Sequence, residues 1–136
     1  MKYQLILTLL LVFGFISNVQ SQPYVIVNTD DYIIPKSDIE DIFLLKLPTI
    51  NGQKITIFIK SISSVEHDLF VYEWLYLSKS MYKRRIRYAN KVNLKEVNND
   101  VDMVLSVSNT PNSIGYIDDI RIINGRKNIA IYKLEH

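Results

Sequence analysis

The densest group of side chains able to do chemistry is Ser61-Ile62-Ser63-Ser64-Val65-Glu66-His67. Ser63 with Glu66, or Ser64 alone, can accept amide hydrogens at the start of a helix. His67 has no second histidine at ligand spacing, because the other, His136, is terminal, so it reads as a surface residue and not as a metal ligand. Asp30-Asp31 and Asp118-Asp119 are loop carboxylate pairs and read as solvated turns ahead of a cation site. Lys79, Lys83, Arg84, Arg85, Arg87 and Lys91 form the largest charge feature, with Lys83, Arg87 and Lys91 on one helical stripe. Its first reading is a solvated helix face. Its second is a docking patch for an acidic partner or a membrane surface, with Lys83, Arg84 and Arg87 as contacts. There is no G-x-S-x-G, P-loop or H-E-x-x-H, and no cysteine to act as a nucleophile. Nothing argues for an enzyme, a metal or a cofactor.

The elements that must position these groups follow from pattern. Tyr24 to Asn28 reads as a buried strand, being apolar and closed by a polar residue. Ser37 and Glu40 form a capping box for a helix to about Leu45, with Ile39, Ile42 and Phe43 inward and Pro48 as the stop. Asn51-Gly52 makes a turn into a strand from about Lys54 to Ile59. Strand, helix, strand at this spacing suggests a right-handed crossover. The next helix carries Val65, Leu69, Tyr72 and Tyr76 as its apolar face, with Phe70 and Trp74 beside them. Met81 to Asn90 is a further helix. Asn99 caps another, to about Val107, with Val101, Val104 and Leu105 inward. Ile114 to Ile117 is a strand, in which Gly115 serves tight packing or a strand start. Ile120 to Ile123 and Asn128 to Leu134 read as a hairpin across Asn124-Gly125. The class is an α/β sandwich with a mixed sheet and flanking helices.

Composition bounds the setting. The chain has 136 residues, 48% of them apolar, which suits one domain with a sizeable core. A net charge of +2 gives no global drive toward nucleic acid. Lys2 followed by the apolar stretch Leu5 to Ile16 is the pattern of a secretory signal peptide, with cleavage expected after Ser21. Twelve residues fall short of the roughly 20 that span a bilayer. The domain then covers residues 22–136. With no cysteine it is held by packing and has no site for lipid attachment through a thiol, so a periplasmic or secreted location is expected.

The order of these pieces resembles a known family. An apolar strand ending in Asn28 precedes Ser37-Asp38-Ile39-Glu40-Asp41-Ile42-Phe43, then Asn51-Gly52 before a strand. A serine-rich helix start follows, with Phe70 six residues beyond Ser64, then Pro111-Asn112-Ser113-Ile114-Gly115-Tyr116. This is similar to the phosphate-binding component of bacterial ABC transporters, in the periplasmic-binding-protein type 2 superfamily. The resemblance spans about Val25 to Asp118 and implies one lobe of a fold whose full members clamp an anion between two. It implies a small-anion site, phosphate being the family ligand, at Ser63, Ser64, Val65, Glu66 and His67. Anchored on Phe70, Ser64 keeps the family serine, while Val65 stands for glycine, Glu66 for threonine and His67 for arginine. The rival expectation is an envelope interaction or sensor module that has lost the ligand. A third is a homodimer that rebuilds a cleft from two lobes.

Overall fold

The computed structural model describes residues 22–29, 33–89 and 92–134. The expected signal peptide, Asp30-Asp31, Lys91 and His136 lie outside the described residues. No described helix is long and apolar enough to cross a membrane.

Five strands make the main sheet: β1 (Tyr24–Asn28), β4 (Thr56–Lys60), β5 (Asn93–Val97), β6 (Ser113–Ile117) and β7 (Ala130–Lys133). Their order is β5-β4-β6-β1-β7. Strand β4 is parallel to both β5 and β6, whereas β1 runs antiparallel to β6 and β7. Strands β1 and β4 are therefore neither adjacent nor parallel, and the expected crossover between them does not form. The parallel connections are instead β4 to β5 and β5 to β6. The short pair β2 (Thr49–Ile50) and β3 (Gln53–Lys54) closes through Asn51 and Gly52, both at positive φ, as the Asn-Gly turn predicts.

Both faces of the sheet are covered, so β4 and β6 are buried along their whole length. Val25, Val27, Ile57, Ile59, Ile114 and Tyr116 face the layer made by α1 (Lys36–Phe43), α2 (Val65–Leu75) and α3 (Lys79–Tyr88). Ile26, Phe58 and Ile117 face α4 (Asp100–Asn109). Gly115 points at α4, where a Cβ would stand 2.5 Å from Met103 Sδ and 3.1 Å from Val107 Cγ2. Tight packing is thus its role. Asn28 and Ser113 both donate to the Val107 carbonyl, which ties the end of α4 to the sheet. Trp74 is buried and donates its indole N–H to the Pro23 carbonyl.

Several expectations are corrected. Helix α1 starts on the Pro35 carbonyl, which accepts from Asp38 and Ile39, so Ser37 lies inside the first turn and the capping box is not made. The helix stops before Pro48 is reached. Leu45 turns left-handed, Lys46 N–H donates to the Asp41 carbonyl and Leu45 N–H to that of Ile42, which is a Schellman ending. The expected apolar face of α2 is the outer one: Val65 is 79% exposed and Tyr76 73%, while His67, Phe70, Val71, Trp74 and Leu75 are buried. Helix α2 carries two competing apolar stripes, and the aromatic one won because Phe70 stacks on Tyr116 at 3.8 Å between centroids. In α4, Met103, Val104 and Val107 are inward, and Val101 and Leu105 are exposed, since Gly115 opens the space that Met103 fills. Ile120–Ile123 is a 3-10 helix capped by Asp119, not a hairpin arm, and β7 pairs with β1.

Candidate functional site

In open α/β sheets the usual ligand position is the crevice beyond the carboxyl ends of neighbouring parallel strands whose loops leave toward opposite faces. Strands β4 and β6 meet that condition. The chain leaves β4 through Ser61 to Ser64 into α2, and leaves β6 through Asp118 and Asp119 toward the α4 side.

The loop after β4 is organised by Ser64. Its backbone is extended, its hydroxyl donates to the Ser61 carbonyl at 2.7 Å, and its oxygen accepts from His67 N–H at 3.2 Å. Ser63 does not cap; its hydroxyl lies 3.0 Å from that of Ser61 and is exposed. Ser64→Ala is expected to cost about 1 kcal/mol. Ser63→Ala should leave the urea midpoint within error, and equal midpoint shifts in the two variants would reject this division of labour. The amides of Val65 and Glu66 precede any intrahelical acceptor and remain open at the helix start. Glu66 and Asp68 already place carboxylates in that turn.

His67 is corrected from surface residue to core. It is 1% exposed, and its Nδ1 lies 2.7 Å from the Tyr116 hydroxyl. That hydroxyl also accepts the Lys60 backbone N–H at 2.9 Å, so its own proton is free to go to Nδ1. This assigns neutral His67 with its hydrogen on Nε2. Burial lowers its pKa from 6.5 to about 4. The same burial pushes Tyr116 well above its ordinary value. His67 therefore brings no positive charge to the helix start.

Sequence reasoning missed Lys60 and Asp100, quoted Tyr116 only within a family motif, and read Asp118 as part of a solvated turn. Lys60 ends the fully buried β4, and its ammonium pairs with Asp118 Oδ2 at 2.9 Å and with Asp100 Oδ1. Burial alone would lower the Lys60 pKa, but its hydrogen bonds and attraction to Asp100 and Asp118 outweigh that and raise it. Asp100 Oδ2 accepts from the amides of Asp118 and Asp119. Asp118 Oδ1 is buried without a hydrogen-bond donor among the described residues, and Asp100 Oδ1 has the ammonium beside it only as an ion-pair partner. The available signal was a lysine closing an apolar run, which requires a counter-ion once both faces of its strand are covered. Asp118 and Asp119 split their roles, for Asp119 binds Arg121 and caps the 3-10 helix. No group of three or more His, Cys, Asp or Glu among the described residues could hold a metal.

The basic helix α3 stands apart from this crevice. Ser78 caps it, accepting from Met81 N–H. Lys83, Arg84 and Arg87 are exposed, whereas Arg85 donates to the Leu44 carbonyl and Tyr82 to that of Phe43, closing the end of α1. Lys79 pairs with Asp68 at 3.5 Å.

No family model matches the chain, and no curated protein matches it. Among solved structures it is similar to an ABC-type phosphate transport receptor from Vibrio cholerae, with a TM-score of 0.56 and 16% identity. The match covers 83% of this chain and 46% of the receptor, so the chain spans about half that protein's length. At this identity the likeness speaks of the fold: a five-stranded mixed sheet with flanking helices, periplasmic-binding-protein-like.

Proposed function

We propose that this chain is an exported, solute-binding-like lobe that takes a small anion, such as phosphate, at the start of α2. The observation that carries the reading is the position of the open Val65 and Glu66 amides at the carboxyl end of β4, beside the loop leaving β6. The Ser63 hydroxyl is exposed in the loop before the helix, while Ser64 holds the loop and His67 holds Tyr116. One lobe supplies half a clamp. Glu66 and Asp68 repel an anion, and the Lys60 ammonium is already neutralised by Asp100 and Asp118. The expected affinity is therefore weak, in the millimolar region. Export rests on the pattern of residues 2–21.

Calorimetry with phosphate at pH 6 and pH 8 tests the reading. Heat that saturates, and that grows in Glu66→Gln, is the expected result. No heat at millimolar phosphate in either buffer would overturn it. The acidic surroundings of the helix start favour a second reading, an envelope interaction module without a ligand, which predicts that silent titration.

A further inference from the structure

Two outward surfaces remain, the first of which starts at the crevice, where Val65 and Glu66 offer their amides. The first is the solvent face of α2. Val65, Leu69 and Tyr72 recur at helical spacing opposite the core, Tyr76 follows as the left-handed C-cap, and the four are 79%, 38%, 67% and 73% exposed. Glu66 and Glu73 run along one edge of that stripe. The helix holds no lysine or arginine, and His67 is buried and neutral. An exposed apolar stripe of this kind marks a contact surface.

The second surface lies on α3. Between it and the end of α1 is a groove of about 420 Å³ whose apolar lining includes Leu44, Leu45, Met81 and Tyr88, with Arg84 and Arg85 at its rim. Helix α3 carries Lys79, Lys83, Arg84, Arg85 and Arg87, and no carboxylate. Only Lys79 is answered by an acid among the described residues, through Asp68 on α2.

The two surfaces match each other in chemistry. One is an apolar stripe with an acidic edge, and the other an apolar groove with a basic rim. They are carried by consecutive helices joined at Tyr76 to Ser78 and bridged by Lys79 and Asp68. Both surfaces therefore sit on the same layer of the lobe, and a self-complementary pair of patches is what a closed two-fold contact uses. We infer that two copies of this chain associate through a closed two-fold interface, with α2 of each copy against α3 of the other. A foreign acidic partner would have to supply what α2 already offers, and would form the contact once instead of twice. The tyrosines and Met81 supply the desolvated centre, and the charges set orientation and association rate. The inference does not rest on anion binding.

Charge exchange tests the contact. Sedimentation of the purified protein at about 100 μM and low salt should give the mass of two chains, since low salt leaves the attraction between the acidic and basic surfaces least screened. Lys83→Glu with Arg84→Glu and Arg87→Glu should give monomers, as should Glu66→Lys with Glu73→Lys. An equimolar mixture of the two variants should recover the double mass, since each acidic surface again meets a basic one. Tyr72→Ser with Tyr76→Ser should give monomers without any change of charge. These positions are exposed except Glu73, which is half-buried, and circular dichroism would establish that each variant keeps its fold. A wild-type monomer overturns the inference, as do variants that stay dimeric or a mixture that stays monomeric. Phosphate heat is read separately, so a failure here leaves the anion reading standing.

Discussion

Lys60→Met should lower the stability of the folded chain by about 3 kcal/mol, although the substitution adds no bulk and replaces a charge by an apolar side chain. The Lys60 side chain is 4% exposed, and those of Asp100 and Asp118 are 14% and 25% exposed. Removing the ammonium leaves two carboxylates facing one another with no counter-ion. The figure sits at the low end for a broken buried pair because both acids keep some contact with water. Asp100 loses less than Asp118. It stands at the first position of α4 and keeps the amides of Asp118 and Asp119, whereas Asp118 Oδ1 already lacks a donor. Lys60→Met combined with Asp118→Asn should therefore recover about half the loss. Urea midpoints at constant slope measure both values. A single variant as stable as wild type at pH 7 would show that the ammonium does not neutralise this crevice.

The contrast between what could and could not be read from the chain follows from what decides each feature. Asn51-Gly52, the Asn99 cap and the inward face Ile39, Ile42, Phe43 depend on local backbone preference or a clear helical stripe, and they form as expected. The face of α2 was read the wrong way round because two apolar stripes compete there. The choice is made by Tyr116, 46 residues beyond Phe70, whose ring it stacks against. Strand β5 was missed because it is a half-exposed edge with little apolar pattern, and its pairing comes from β4. The helix start at Ser63 and Ser64 was legible, and Ser64 is the residue that caps. The polar network behind it was not, because Lys60, His67, Asp100 and Asp118 meet only when separate elements close around Tyr116. A buried lysine or histidine carries no local mark of its burial, and a family comparison that stops at the loop does not reach these partners.

His67 makes the fold acid-sensitive over a defined interval. Its pKa is about 4 in the folded chain against 6.5 when free. Below pH 6.5 the unfolded chain takes up a proton that the folded chain refuses, so stability falls as pH is lowered from 6.5 to 4. Below about 4 both forms are protonated and this contribution levels off. The loss attached to this one group approaches about 3 kcal/mol, a large part of the roughly 5–15 kcal/mol that holds a domain together. Burial is the main cause. Asp68 on the same helix opposes it, and Lys79 on α3 adds to it. The rings of Tyr82 and Tyr116, 5.2 and 6.2 Å away between centroids, offer no charge to stabilise an imidazolium. The hydrogen-bond arrangement works in the same direction. A proton on Nδ1 would turn the acceptor of the Tyr116 hydroxyl into a second donor, beside the Lys60 amide, and leave the hydroxyl hydrogen without a partner. His67→Gln separates this effect from carboxylate titration, since its carbonyl can still accept from Tyr116 but it takes no proton in this range. Whatever the variant costs at pH 7, its stability should be nearly flat from pH 6.5 to 4.5, where the wild type declines. Parallel profiles over that interval would mean that His67 titrates alike in the folded and unfolded chain, and the buried Tyr116–His67 bond would have to be abandoned.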